Sequence, residues 1–303
     1  MNDFMDALKA WVKPLIWSTA VLMLVLEDAV FVKALLLFSP LMLMPLWCGT
    51  KRPRQKFEYV AAMMMAGSFS FLSTPGIQAA WLAVPWLVAR LFVVKDVSMA
   101  WNKRGMPSAV TACEQAAAIF PAVGAAWLVA YQAKWTPWGF DPLIVLLTAA
   151  HFHHAGFTLP LMAGLNAKAK PSLLTKGSCI AILAGVPLVA IGITCTHFGV
   201  LPFVEPFGVT VLVLGALGVA VSQLRRGLEA PQPTMTRFGF LVSGASLLFA
   251  MLLALGFGLR YVIPNFALTM PQMWMIHGTL NAFGFGLCGI LAWRASLKPD
   301  VRP

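Results

Sequence analysis

Apolar residues along this chain neither alternate with polar ones nor recur every three or four positions. They come in runs, most of them 17 residues or longer, separated by short gaps that hold most of the charge. Such a run matches the roughly 20 residues that an α-helix needs to cross a hydrocarbon core of about 30 Å. The runs predict spanning helices near 12–27, 30–48, 58–74, 77–94, 108–131, 141–164, 176–198, 207–223, 237–260 and 272–293. The first has the shortest apolar part, trimmed by Pro14 and the Glu27–Asp28 pair. As a full span it makes ten crossings; as a half-span or interfacial helix it leaves nine. The ten-residue alternating segments of a membrane β-barrel do not occur. The expected fold class is all-α: a polytopic transmembrane helical bundle of about ten spans, forming a single integral-membrane domain over 1–303. Because every gap is short, no soluble domain is expected.

Composition points the same way. Hydrophobic residues make up 59% of the 303 and charged residues 11%, and the mean hydropathy is +0.80. A net charge of +11 would suit a nucleic-acid binder in a soluble chain. Here the basic residues fall in the gaps instead, so no nucleic-acid partner is expected. Residues 49–57 carry four positive charges, 95–107 carry Lys95, Lys103 and Arg104, 165–176 carry Lys168, Lys170 and Lys176, and 224–237 carry Arg225, Arg226 and Arg237. The intervening gaps hold hardly any. By the positive-inside rule, this alternation places the basic loops and the C-terminus on the cytoplasmic side of a bacterial inner membrane. The N-terminus is cytoplasmic with ten spans and external with nine.

Other features narrow the class further. Cys48, Cys113, Cys179, Cys195 and Cys288 are scattered with no CxxC, which reads as small buried hydrophobes. The first run lacks a long basic lead and a small-residue cleavage site, so a cleaved signal peptide is not expected. No internal repeat is visible, which argues against an inverted-repeat transporter.

Against this background the segment "AHFHHAGFTL" stands out: it holds His151, His153 and His154, three of only five histidines. An ionisable group inside a membrane is costly and therefore a candidate for function, though a lone histidine serves as interhelical glue about as often. From their positions, His151 lies about ten residues into its span, His277 in the outer third of the last span with Asn281 deeper, and His197 at the outer end of its span. Residues i and i+3 share a helix face, whereas i and i+2 point about 200° apart. His151 and His154 therefore address one site, with Thr158 one turn on, and His153 looks elsewhere. In "MIHGTLNAFGFG", His277 and Asn281 share a face, with Trp274 one turn earlier, and Gly278, Gly284 and Gly286 permit close helix approach. The sixth and tenth spans are thus expected to enclose one polar pocket.

Two or three imidazoles from facing helices suit zinc, copper or iron, giving His151, His154 and His277 as candidate metal ligands. No HExxH motif and no carboxylate within HFHH support a particular metal, and Met63, Met64 and Met65 read as packing. The same groups suit acid–base work, with Asn281 donating to a developing oxyanion, or a proton relay in a transporter. The cofactor is left open between none, a transition metal and a haem held by histidine.

On "HFHHAGFTLPLMAG", "HGTLNAFGFG" and the early "LLLFSPLMLMPL", the sequence resembles the YndJ-like family of bacterial polytopic membrane proteins, loosely over most of its length. Members of that family are often described as transporters, a description that does not account for the histidines. The HFH segment is also faintly similar to subunit I of haem-copper oxidases, where it supplies haem ligands; the matching pair here would be His151 and His153. Five histidines and no second paired-histidine motif exclude a full oxidase, though not a single bis-histidine haem. The residues themselves favour an integral-membrane enzyme acting on an apolar or amphiphilic substrate, by isomerisation, cyclisation, hydration or metal-assisted chemistry. The candidate catalytic set is His151, His154, His277 and Asn281, with Glu114, Glu27 and Asp28 as supporting acids. The alternatives are a proton-coupled transporter using the same histidines and a bis-histidine haem protein.

Overall fold

The computed structural model describes residues 28–49, 52–70, 75–105, 107–229 and 232–297. Among these residues there are nine long helical segments and no strand. Helix α1 runs Asp28–Phe38 and continues through a π-helical turn, Ser39–Leu43, into Met44–Cys48. Then come α2 (Pro53–Ser70), α3 (Ile77–Arg104), α4 (Ala109–Gln132), α5 (Pro142–Ala169), α6 (Leu173–His197), α7 (Val204–Leu228) and α8 (Thr234–Gly258). The last, α9 (Met270–Ser296), contains two π-helical stretches, Met273–His277 and Leu280–Leu287.

Eight of these helices are long and apolar enough to cross a bilayer. The exception is α2, expected as a span over 58–74. It starts earlier, at Pro53, and its first turns carry Arg54, Lys56 and Glu58, which lower its average hydropathy. The run at 12–27 lies outside the described residues. Other spans are longer than their apolar runs: α3 continues ten residues beyond 94, through Lys95 and Lys103, before Gly105 (φ 77°) ends it. Long basic side chains reach water while their backbone stays helical, so a run measured by hydropathy stops before the helix does.

The local chemistry explains where the helices begin. Ser108 and Asp141 accept from backbone N–H groups at the starts of α4 and α5, and a Ser172–Thr175 capping box opens α6. Pro85, Pro121, Pro160 and Pro187 lie inside helices, which packing by neighbouring helices tolerates within a membrane. The closest pairings are α4 with α5, α6 with α7 and α7 with α8; α1 and α9 pack across α5. Large apolar side chains such as Ile77, Trp81, Ile180, Leu214 and Phe249 are exposed on the outside of the bundle. That outside face is apolar, so lipid is its solvent.

Candidate intramembrane site

The two faces of α5 part company at the histidine cluster. His151 turns towards α9, where its ring centroid lies 6.5 Å from that of His277, the planes inclined by 32°. Its Nδ1 is 2.8 Å from the carbonyl oxygen of Leu147, one turn back, while the Nδ1 of His277 is 2.9 Å from the carbonyl oxygen of Ala250 in α8. A carbonyl only accepts, so each Nδ1 carries the hydrogen. In the neutral ring each Nε2 then holds a lone pair, and neither Nε2 has a hydrogen-bond partner among the described residues. His151 is exposed and His277 half-buried, so the pair opens at the surface of the bundle rather than in a sealed core. Met275 and Ile276, beside it in sequence, are exposed as well.

His154 shares the face of His151 but is claimed by α1. Its Nε2 donates to the carbonyl oxygen of Leu35 at 2.6 Å, and its Nδ1 is buried with no hydrogen-bond partner. The three-imidazole ligand set expected from sequence is therefore not assembled as the chain stands. Among the described residues no group of three or more His, Cys, Asp or Glu is placed to hold a metal. The pair that the fold does bring together is His151 and His277.

His153 looks the other way, as its spacing requires. It is fully buried, its Nδ1–H donates to Ala149 O at 2.7 Å, and its Nε2 accepts from Trp86 Nε1 of α3 at 2.8 Å. Both ring nitrogens are committed, so His153 is not free to ligate haem iron alongside His151. The ring fits only because Gly124 of α4 has no side chain: a Cβ there would sit 2.6 Å from Nδ1.

The remaining candidates divide. Asn281 donates its Nδ2 to the carbonyl oxygen of His277, 2.8 Å away, and so is tied to its own helix. Trp274 is buried with its indole N–H unpartnered. Glu114 is not brought to the histidines: it bonds Lys168 at 2.6 Å, and Lys168 is 17 residues from His151, about 25 Å along α5. Asp28 is the first residue of α1, and Glu27 lies outside the described residues.

Sequence reasoning missed a second polar cluster. Arg90, midway along α3 and only 6% exposed, pairs with Glu58 of α2 and lays its guanidinium 4.5 Å from the centre of the Trp86 ring. Trp86 in turn bonds His153, whose carbonyl accepts from Ser39 Oγ at 2.5 Å. Arg90 inside an apolar run was the available signal; its partner sat at the edge of the preceding run. At the other end, Glu205 is buried against Arg260 (2.6 Å) and Thr196 (2.5 Å).

Bundle and site together define a multi-pass helical membrane protein with histidine and ion-pair contacts between its helices. The chain belongs to the YndJ-like family: the family described as YndJ-like protein matches residues 17–285. The uncharacterized membrane protein YndJ of Bacillus subtilis (strain 168) is 31% identical over 193 residues, which is 61% of this chain and 32% of that protein. The aligned region is thus about a third of that relative's length. No solved structure matches the chain.

Proposed function

We propose that this chain is an integral-membrane enzyme acting on an apolar or amphiphilic substrate, with His151 and His277 as its acid–base pair. One observation carries the reading. Two imidazoles on different helices face each other at 6.5 Å, each fixed by a backbone carbonyl at Nδ1 and each with Nε2 unengaged. Two positive charges at this spacing repel by about 2.5 kcal/mol at an effective dielectric of 20. The two rings therefore do not carry charge together, and either free Nε2 can take a proton from a substrate and return it, the work of an acid–base pair. A substrate reaching them along exposed Met275 and Ile276 meets hydrocarbon, which selects a lipid-like molecule. In this reading the protein sits in the bacterial inner membrane, with its basic loops and C-terminus cytoplasmic.

The test compares total lipid extracts of cells expressing wild type, His151→Ala, His277→Ala and the double variant by mass spectrometry. A species that changes with wild type alone is expected, and the double variant should be no worse than either single, as for residues acting as a unit. Identical profiles in all four would end the enzymatic reading. Turnover by purified protein in detergent, where no gradient exists, separates an enzyme from a proton-coupled carrier. A second reading has its own support: carbonyl-held Nδ1 atoms are how proteins orient metal-binding histidines. Elemental analysis of purified wild type against His277→Ala tests it, with loss of a stoichiometric transition metal as the supporting result.

A further inference from the structure

At the opposite end of the bundle from His277, a cavity of about 90 Å³ lies where α5 ends, α6 begins and α7 ends. Asn166, Lys170, Ser172, Arg225, Arg226 and Glu229 line it. Three cations face one carboxylate, and that carboxylate is already taken: Glu229 accepts from Lys170 Nζ at 2.6 Å. This bond holds its carboxyl below the usual carboxylate range, so it stays ionised near neutrality. The two arginines are left as the surplus charge. Arg226 feels the Glu229 charge that Lys170 already shares, and its guanidinium is stacked on aromatic rings, 4.4 Å from the centre of Trp293 and 5.6 Å from that of Phe240. Stacking on ring faces leaves the planar N–H edge of a guanidinium available for an oxyanion.

Basic residues at a helix end ordinarily do no more than orient a membrane protein. Asn166 sets this place apart. It is 4% exposed, it lines the cavity, and its Nδ2 has no hydrogen-bond partner. A buried amide donor without an acceptor is costly, and each such group calls for a missing partner. The first turn of α6, just past Ser172, adds the positive end of a helix dipole to the same wall. Asn166, two guanidinium groups and the N-terminus of α6 border a space of about three water volumes. A tetrahedral anion with several acceptor oxygens satisfies all of them at once, whereas a carboxylate has two oxygens to share among them.

We propose that this cavity binds a phosphoryl group, either free phosphate or the headgroup of an anionic phospholipid. The test uses the full chain purified in detergent micelles, with Arg225→Gln, Asn166→Asp and, as a control outside the cavity, Lys103→Gln. Thermal midpoints are measured against inorganic phosphate, and against vesicles of phosphatidylglycerol or phosphatidylcholine after reconstitution; native mass spectrometry counts retained lipid. Stabilisation by inorganic phosphate, weakened at least tenfold in apparent affinity by both cavity variants and unchanged in Lys103→Gln, identifies the free anion. Retention of phosphatidylglycerol alone, lost in the same two variants, identifies the headgroup. Should neither probe stabilise wild type, or should Lys103→Gln weaken binding as much as Arg225→Gln, the site does not exist and bulk charge explains the effect. Asn166→Asp keeps the shape of the side chain while repelling an anion, so a fold defect in Arg225→Gln does not rescue or sink the result.

Discussion

Arg90 carries a charge into the middle of α3 and finds Glu58 of α2 there, with the Trp86 ring beneath its guanidinium. Removing one member of such a pair leaves the other desolvated, at about 3–5 kcal/mol for a buried pair. Glu58 keeps Arg54 as a second partner at 3.2 Å, so Arg90→Ala is expected near the lower figure, read as a loss of thermal midpoint in detergent. Glu58→Gln, which removes the opposing charge, should recover part of that loss in the double variant; no recovery would show that the ion pair does not hold α2 against α3. At this scale the sequence was readable in one respect and silent in another. Spacing alone separated His153 from His151, because a helix turns two residues to opposite sides. It did not assign His154 to α1, because the carbonyl of Leu35 that claims it lies 119 positions away. Nor did it join Arg90 to Glu58, which meet only once two runs fold side by side.

Helices, more than side chains, were legible. Apolar runs located α4 to α9 to within a few residues, since a membrane-spanning helix must satisfy its own backbone and can hide nothing from hydropathy. Their ends were less legible where charges snorkel, and the π-helical stretches in α1 and α9 left no trace in a 3.6-residue pattern. These stretches matter because i, i+4 logic assumes regular turns, whereas within Leu280–Leu287 the backbone bonds skip one residue further; Asn281 donates to the carbonyl of His277. Close approach between elements depends on missing side chains. Gly124→Ala is expected to push α4 away from the His153 ring, whose Nδ1 would be 2.6 Å from the new methyl. A loss of about 1–3 kcal/mol follows from overpacking, measured as a lower thermal midpoint. A variant as stable as wild type would mean that the ring can shift freely, and that its bonds to Trp86 and Ala149 do not fix it.

For the molecule as a whole, charge supplies the direction that packing lacks. The ends bearing Lys103, Lys168, Lys170, Arg225 and Arg226 all lie together, with the Glu114–Lys168 and Lys170–Glu229 pairs tying α4, α5 and α7 there. A reporter fused after residue 170 is expected to read cytoplasmic and one after residue 136 external. The reverse pattern would move the phosphoryl cavity and the histidine pair to the opposite leaflets. Membership of the YndJ-like family fixes neither orientation nor chemistry, so these rest on the residues themselves.

A π-helical stretch is what remains when one amino acid is slipped into a helix that keeps running. A single codon removed from Leu280–Leu287 should therefore return the last helix to regular turns. The repaired helix would gain regular bonds, yet everything on its outer side would swing by about 100° about its axis. His277 would then leave Ala250 and His151 while Trp293 and the inner half stayed seated. Such a deletion is expected to lower the unfolding temperature, because buried Trp274 and the close Gly278–Leu35 approach are lost, and to erase whatever depends on the paired rings. A deletion that kept the function would show that the wide turns are an accident of descent.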